Sequence, residues 1–325
     1  MREEILRELR SEYEQLRARN ERETEKNILN AAEKCDGLKE LLLERQNLIF
    51  GSLRGILNGK GSASDIPEQM LNVNERIGTL LEKNGLPRKI LEPVYSCDIC
   101  EDRGYAGEPV REMCSCMKKR YREKLREMMG LKNGNGGSFE HFNENLFSDE
   151  PLPGKNYSAR ALTKRIRDIC RDWVEQYPRG DIRDLLFIGP SGLGKTFMMH
   201  AMAEKLIDKE VNVLIISAYR FYEIVRAAIF DNEEDALQEL YKADVLFLDD
   251  LGAEPLTQNI TIEQLYALLN ERQLQGRSTV ISTNLTIQEF RKRYTERITS
   301  RLEENGKSLV LNFMGDDLRK KEKNP

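Results

Sequence analysis

The residues with the clearest chemical potential form a glycine-rich run of eight, Gly189-Pro-Ser-Gly-Leu-Gly-Lys-Thr196. Its spacing matches G-x-x-x-x-G-K-[ST], in which backbone N–H groups cradle phosphate oxygens at a helix N-terminus. An apolar segment, LLFIG, precedes it, and a helical pattern, KTFMMHAMAEKLI, follows it. Lys195 is predicted to reach the β- and γ-phosphates, and the Thr196 hydroxyl to bind Mg²⁺. The predicted nucleotide-binding residues are Gly189, Pro190, Ser191, Gly192, Leu193, Gly194, Lys195, Thr196 and Phe197.

A second group of acids follows a strand-like run, Val245-Leu-Phe-Leu-Asp-Asp250. Asp249 is predicted to complete the Mg²⁺ shell begun by Thr196, and Asp250 to orient and deprotonate the attacking water. The alternative is a strand end with solvated acids. Asn284 ends the segment TVISTN and is predicted to hydrogen-bond that water or the γ-phosphate. No NKxD-like motif for guanine occurs, so ATP is the expected nucleotide.

Four of the six cysteines are clustered in the spacing C-x₂-C-x₁₃-C-x-C. Cys97, Cys100, Cys114 and Cys116 could supply four thiolates to one Zn²⁺, and such a closed site is structural. An iron–sulfur cluster and unligated thiols are the alternatives. In a reducing compartment, clustered cysteines indicate a metal site more often than disulfides. We therefore predict zinc.

Composition sets limits on the class of protein. The 325 residues include 33% charged and 39% hydrophobic side chains, and 51 basic against 55 acidic residues give a net charge of −4. This balance excludes a polycation that coats nucleic acid, although a local basic groove remains compatible with it. No run approaches 18 apolar residues and the N-terminus has no apolar signal segment, so we expect a cytoplasmic protein without membrane contact.

The elements that must position these groups change character along the chain. Residues 1–57 predict one or two long helices, as a coiled coil or an antiparallel pair, and after a linker at 58–64 a helix from Asp65 to about Asn84. Beyond residue 137 short apolar runs alternate with helical patterns, which predicts a parallel α/β sheet covered on both faces. The predicted strands are Leu185–Ile188, Val213–Ser217, Val245–Leu248, Thr279–Ser282 and Leu309–Phe313.

Four domain segments follow from these patterns. We predict an N-terminal helical, partner-binding arm at 1–93, a zinc-binding knuckle with a basic helix at 94–129, a linker at 130–137, and a nucleotide-binding domain at 138–325. The linker is assigned from four glycines and two asparagines in eight residues, which cannot hold a helix.

The order of four motifs, GPSGLGKT, VLFLDDLG, VISTNLT and ERITSRL, resembles the AAA+ ATPases of the DnaC/DnaI helicase-loader and IstB group. The resemblance covers about residues 138–315. It implies an AAA+ P-loop αβα core without a C-terminal lid, because only 24 residues follow Arg301. It also implies Walker A roles for Lys195 and Thr196, Walker B roles for Asp249 and Asp250, and a sensor 1 role for Asn284. Weak ATPase turnover by an isolated chain is expected.

The same resemblance assigns an arginine finger to Arg301, which would reach the γ-phosphate held by a neighbouring subunit and so implies self-assembly. Arg297 lies one helical turn away on the same face. The alternative is that both arginines form surface ion pairs with Glu296, Glu303 or Glu304.

A helix after the second strand falls where the group places its pore-facing insertion. Aromatic and basic side chains suit single-stranded DNA, which needs stacking and phosphate neutralisation. The candidates are Tyr219, Arg220, Tyr222 and Arg226. Helical spacing places Phe221, Ile224, Val225, Ala228 and Ile229 in the core instead.

The resemblance therefore predicts an ATP-dependent loader of a DnaB-type replicative helicase onto single-stranded DNA. Loaders of the DnaI type carry a zinc-binding N-terminal domain, and this chain resembles them in arrangement there. The alternatives are an IstB-like transposition helper acting on target DNA, and an adaptor that binds ATP without hydrolysing it.

Overall fold

The computed structural model describes residues 2–57, 66–129, 137–231, 233–256, 261–303 and 306–321. Contacts divide the chain into two units, Arg2–Tyr121 and Arg122–Pro325. The predicted linkers at 58–64 and 130–137 lie outside the described residues, except for Gly137. The predicted domain boundaries therefore stay a prediction.

Three helices form most of the N-terminal unit: α1 (Arg2–Lys34), α2 (Leu38–Leu57) and α3 (Ile66–Lys83). The predicted helical stretch at 1–57 is thus two helices, separated where Gly37 takes a φ of +86°. Buried side chains of all three helices form one apolar cluster. Its members are Ala31, Cys35, Leu38, Val73, Ile77 and Leu81. The three helices therefore share a core and do not form one uninterrupted coiled-coil seam.

The cysteine segment of this unit is built on a small hairpin of β1 (Tyr105–Ala106) and β2 (Glu112–Met113), followed by α4 (Ser115–Met128). The strands are antiparallel, with Tyr105 opposite Met113. The first half of α1 contacts α4, because Arg120 Nε donates to Glu12 Oε2 at 3.1 Å. The helical arm and the cysteine segment therefore make direct contact within the unit.

The second unit contains a five-stranded parallel sheet in the order β4-β5-β6-β3-β7. Its strands are β3 (Asp184–Ile188), β4 (Val213–Ser217), β5 (Val245–Leu251), β6 (Ser278–Thr283) and β7 (Ser308–Asn312). All five predicted strands are confirmed, within one residue at most ends. β5 continues three residues further than predicted, into the acidic pair. Because β6 lies between β3 and β5, the predicted position of Asn284 between the P-loop strand and the acidic strand is also confirmed.

Helices cover both faces of this sheet. They are α5 (Ala159–Gln176), α6 (Lys195–Asp208), α7 (Ala218–Phe230), α8 (Glu234–Lys242), α9 (Thr261–Leu274), α10 (Ile287–Leu302) and the short α11 (Leu318–Lys321). Residues of α7 to α10 form one apolar cluster with Leu246, Leu248 and Ile281. Alternate positions such as Phe187 and Phe247 are also fully buried and point to the opposite face, because side chains alternate along a strand. The predicted αβα core is therefore confirmed, and after β7 the described residues form no helical lid domain.

A buried arginine that was not predicted joins α9 to the end of α8 and to β6. Arg272 is fully buried on α9, and burial lowers the pKa of its guanidinium to about 10. Its Nη1 donates to Leu240 O at 2.7 Å and to Ala243 O at 2.8 Å, and its Nε donates to Thr279 Oγ1 at 3.1 Å. It therefore stays charged near neutral pH while satisfying carbonyls at the end of α8.

Candidate functional site

The glycine-rich loop joins the buried strand β3 to the start of α6 and needs glycine at specific points. Gly194 adopts φ +85° immediately before α6, a conformation that L-residues with a side chain rarely take. Gly189 lies against the segment after β7, since an added Cβ would be 2.3 Å from Phe313 O. These constraints hold the loop at the carboxyl edge of the sheet, where its N–H groups can meet phosphate.

Lys195 is held inside this loop. The side chain is 6% exposed, and its Nζ donates to Gly189 O at 2.6 Å, Pro190 O at 2.8 Å and Asn284 Oδ1 at 2.8 Å. Burial lowers the pKa of the ammonium, while the charges of Asp250 and Asp249 oppose that shift. The group is thus a buried cation in contact with the predicted sensor residue Asn284.

The two acids of β5 have different surroundings. Thr196 Oγ1 donates to Asp249 Oδ2 at 2.9 Å, and Ser282 Oγ donates to the other carboxylate oxygen of Asp249. Asp250 has φ +58° at a register shift between β5 and β6. The Asn284 amide donates to the Asp250 carboxylate. Asp249 therefore lies beside the predicted magnesium ligand Thr196, while Asp250 is paired with the predicted sensor Asn284.

These groups surround one cavity of about 420 Å³. It is lined by Ser191, Gly192, Gly194, Lys195, Thr196, Asp249, Asp250, Ser282, Asn284, Leu318 and Arg319. Ser282, Leu318 and Arg319 were not predicted. Four of the predicted nucleotide-binding residues do not line the cavity: Gly189, Pro190, Leu193 and Phe197. Leu193 is buried, and Phe197 packs against Phe142 with ring centroids 6.3 Å apart.

The residues present fit a nucleoside triphosphate with magnesium. Two oxygen ligands, Thr196 and Asp249, are adjacent, and Mg²⁺ is bound by such oxygens together with substrate phosphates. The cavity volume falls within the range usual for small-molecule sites. A buried lysine and a glycine-rich loop supply the complementary positive charge.

Arg297 and Arg301 lie on α10, beyond a sharp change of direction. Thr295 interrupts the helix with φ +66° and ψ 160°, which is strained for a β-branched residue. The Arg297 guanidinium lies 4.4 Å from the ring centroid of Tyr266, and hydrogen bonds from Arg301 and Arg297 lower the pKa of that tyrosine. Neither arginine lines the cavity of its own chain. Of the alternative ion-pair partners, Glu303 pairs with Arg291 at 2.8 Å, and Glu304 lies outside the described residues.

A buried acid that was not predicted connects the acidic loop to α10. Glu254 is 2% exposed and accepts a hydrogen bond from Gly252 N at 2.8 Å. The Tyr294 hydroxyl donates to the same carboxylate, and Arg293 Nη2 donates to Glu254 O at 2.6 Å. The chain directly after Asp250 is therefore fixed to the turn of α10 that precedes Thr295.

The exposed face of α7 carries the DNA candidates. Tyr219 is 54% exposed and its ring lies 6.5 Å from that of Tyr222. Arg220 pairs with Glu223 and Arg226 with Asp231, both at the surface. The predicted core positions Phe221, Ile224 and Val225 are buried and Ala228 is half-buried. The prediction for Ile229 was wrong, because it lies in the last turn of the helix and is 42% exposed.

The four clustered cysteines come together as their spacing predicted. Their Sγ atoms all lie within 4.8 Å of one another, with Cys97 and Cys114 at 3.8 Å and Cys100 and Cys116 at 3.5 Å. Zn–S bonds of about 2.3 Å in a tetrahedron require S···S separations of this size. A turn with φ +57° at Asp102 connects the first cysteine pair to the hairpin. The donor set and the geometry fit a structural zinc ion.

Hydrogen bonds from neighbouring residues hold the four cysteines in place. Asp102 is fully buried and accepts hydrogen bonds from Cys97 N at 2.9 Å and from Asn20 Nδ2 at 2.7 Å. The Tyr13 hydroxyl donates to Cys116 Sγ at 3.1 Å. Both Tyr13 and Asn20 belong to α1. The helix therefore supplies outer contacts to the cysteine site, as is usual for metal ligands.

The surroundings of the cluster oppose the ionisation of two of its thiols, Cys100 and Cys116. Burial raises the pKa of Cys116 to about 12, although the Tyr13 hydrogen bond acts in the opposite direction, and burial also raises the pKa of Cys100. Burial acts in the same direction on Cys114, but hydrogen bonds with the backbone and thiol of Cys116 outweigh it and lower the pKa of Cys114 to about 7. A bound metal ion reverses this balance, because it deprotonates a coordinating thiol.

Among the described residues, none of the helices combines the length and apolar character needed to cross a lipid bilayer.

Comparison with known proteins gives consistent results. The family described as IstB-like ATP binding protein matches residues 159–324. The chain is 30% identical to the replicative helicase loader DnaI of Bacillus subtilis over 42% of this chain and 44% of that protein. It is 28% identical to the replicative helicase loader DnaC of Escherichia coli K12 over 46% of this chain and 61% of that protein. A crystal structure of DnaI is 21% identical, with a TM-score of 0.45, over 61% of this chain and 99% of that one.

The chain thus spans about half of the length of these two curated relatives. The matched family covers α5 to the end of the chain, which includes every residue that lines the nucleotide cavity. On this evidence the chain belongs to the IstB-like ATP-binding proteins, within the AAA+ group that its motifs resemble.

Proposed function

We propose that this protein is an ATP-dependent loader of a DnaB-type replicative helicase onto single-stranded DNA. The observation that carries the proposal is the similarity to replicative helicase loaders of two organisms. A complete set of nucleotide-site residues in the second unit agrees with it. An N-terminal unit with its own core and cysteine site is available for a partner.

In the nucleotide site, Lys195 gives up its hydrogen bonds to the loop carbonyls and binds the phosphates instead. Thr196 and Asp249 would hold Mg²⁺, which neutralises phosphate charge during transfer. Asp250 would orient and deprotonate the attacking water, and Asn284, whose amide donates to the Asp250 carboxylate, would bind the same water. The chain is therefore an ATPase in this proposal, with weak turnover on its own.

Arg301 acts in trans in this account. Arg297 and Arg301 contact Tyr266 and do not line the cavity of their own chain, so Arg301 can serve a neighbouring subunit. Self-assembly through the ATPase domain would complete the site. The exposed face of α7, with Tyr219, Arg220, Tyr222 and Arg226, would contact single-stranded DNA by stacking and charge.

The N-terminal unit is the proposed helicase-binding part. Leu43 and Phe50 are 57% and 56% exposed on α2 and are seven residues apart, so they share one face. In an assay without ATP, the double variant L43E/F50E should no longer co-purify with a DnaB-type helicase, because the two glutamates introduce charge into an apolar contact. The control is L274E, at a leucine of the other unit that is 74% exposed. Retention of the helicase by L43E/F50E would contradict this assignment.

A transposition helper is the second candidate, and the family match itself favours it. Such a protein would prefer duplex DNA and a transposase. Capture of a transposase without the helicase in the co-purification would support it over the loader.

A further inference from the structure

The segment that follows β7 lies directly on the phosphate loop. Phe313 N donates to Ile188 O at 2.7 Å, and Leu318 N donates to Gly192 O at 3.0 Å. An added Cβ at Gly192 would be 1.8 Å from Asp317 Oδ1. Backbone hydrogen bonds and close packing therefore seat the start of α11 against the tip of the loop.

This placement brings a second cation to the nucleotide cavity. Arg319 lines the cavity together with Lys195 and Thr196. Its Nε donates to Asp317 Oδ1 at 3.1 Å and its Nη2 donates to Asp317 Oδ2 at 3.4 Å, and the side chains of Arg319 and Asp317 are 65% and 24% exposed. Because the guanidinium is mostly exposed and its second hydrogen bond to Asp317 is long, another anion can compete with the carboxylate for it.

The charges of the cavity agree with a polyanionic ligand. Arg319 is close enough to Lys195 to contribute, after burial, to the lowered pKa of that ammonium. Two cations therefore converge on one cavity: Lys195 is held by loop carbonyls and by Asn284, and Arg319 by the Asp317 carboxylate. A nucleoside triphosphate could displace both sets of contacts.

We propose that Arg319 is a nucleotide-binding residue that contacts the terminal phosphates of ATP bound to its own chain. The proposal rests on the proposed ATP site. Arg319 would leave Asp317 and offer its planar N–H fork to phosphate oxygens. The sequence analysis did not predict Arg319 as a site residue, because only the backbone contacts of α11 with the phosphate loop bring it to the cavity.

The test is the affinity of the full chain for MgATP and MgADP, measured by calorimetry. Arg319→Ala should weaken ATP binding about tenfold and ADP binding less than about threefold, because a charge-assisted contact to the last phosphate is lost. Arg319→Lys should retain part of the ATP affinity that Arg319→Ala loses. Asp317→Asn should strengthen ATP binding, because it removes the competing carboxylate. Arg291→Ala, which breaks a surface pair with Glu303, is the matched control and should change neither affinity.

Several results would overturn the assignment. If Arg319→Ala binds ATP within about twofold of the unchanged protein while Lys195→Ala loses binding, the ATP site is correct and Arg319 is not part of it. Equal losses for ATP and ADP would exclude contact with the terminal phosphate. Absence of ATP binding by the unchanged protein would remove the ATP site and this proposal together. Melting temperatures without nucleotide check folding, and Arg319→Gln replaces the alanine variant if that variant is unstable.

Discussion

Lys195→Ala should weaken ATP binding about 100-fold, the size expected when one partner of a buried, hydrogen-bonded charge pair is removed. The ammonium is 6% exposed, and the carbonyls and amide that hold it show that this position is built for a cation. No other lysine lines the cavity among the described residues. Equilibrium titration with MgATP measures the loss.

Two variants make this result specific. Lys205→Ala removes the same charge from the same helix, where Lys205 pairs with Glu140, and should leave ATP affinity unchanged. Asp250→Asn should keep ATP binding but lower hydrolysis about 100-fold, because proton transfer to a positioned base is lost. Unaltered ATP affinity in Lys195→Ala, with the fold intact, would refute the nucleotide site.

The second large effect concerns zinc. The full chain should purify with one Zn²⁺, and Cys100→Ser should lose it, because the buried fourth thiolate is absent. Zinc binding contributes about 10 kcal/mol or more to the folding of small structural sites, so the N-terminal unit should melt at a much lower temperature. Metal analysis and thermal melting of the same samples test both points.

Cys170→Ala is the control for this experiment. Cys170 is fully buried in the second unit and is not one of the four clustered cysteines, so its replacement should leave the zinc content unchanged. ATP binding by Cys100→Ser should also persist, because the nucleotide cavity is lined only by residues of the second unit. Protein prepared under reducing conditions without chelator that holds no metal, or that holds iron, would contradict the prediction.

Local sequence patterns predicted the parts of the structure that depend on local chemistry. Glycines with a following Lys-Thr, an apolar run ending in Asp-Asp, and paired cysteines each specify a turn or strand end with its side chains. The strand order then brings Asn284 between them, since the carboxyl ends of parallel strands meet at one edge. The fold class and most cavity residues were therefore predictable.

The residues that were missed act through contacts distant in sequence. In the sequence Ser282 has no feature that distinguishes it from other strand residues. Only the pairing of β6 with β5 brings its hydroxyl to the Asp249 carboxylate. Arg319 lies in a charged tail whose position depends on backbone bonds to the P-loop. Tyr13 reads as part of a helical stripe, yet it contacts a cysteine 103 positions away. None of these pairings leaves a periodic signal in one sequence.

The central claim is tested most directly by helicase loading on single-stranded DNA coated with single-stranded-DNA-binding protein. The measured quantity is the amount of a DnaB-type helicase bound to that DNA with and without the full chain and ATP. We predict that the chain with ATP increases it, and that Arg301→Ala abolishes the increase while binding ATP normally. A helicase level that the chain does not raise, although it binds both ATP and the helicase, would contradict the loader function.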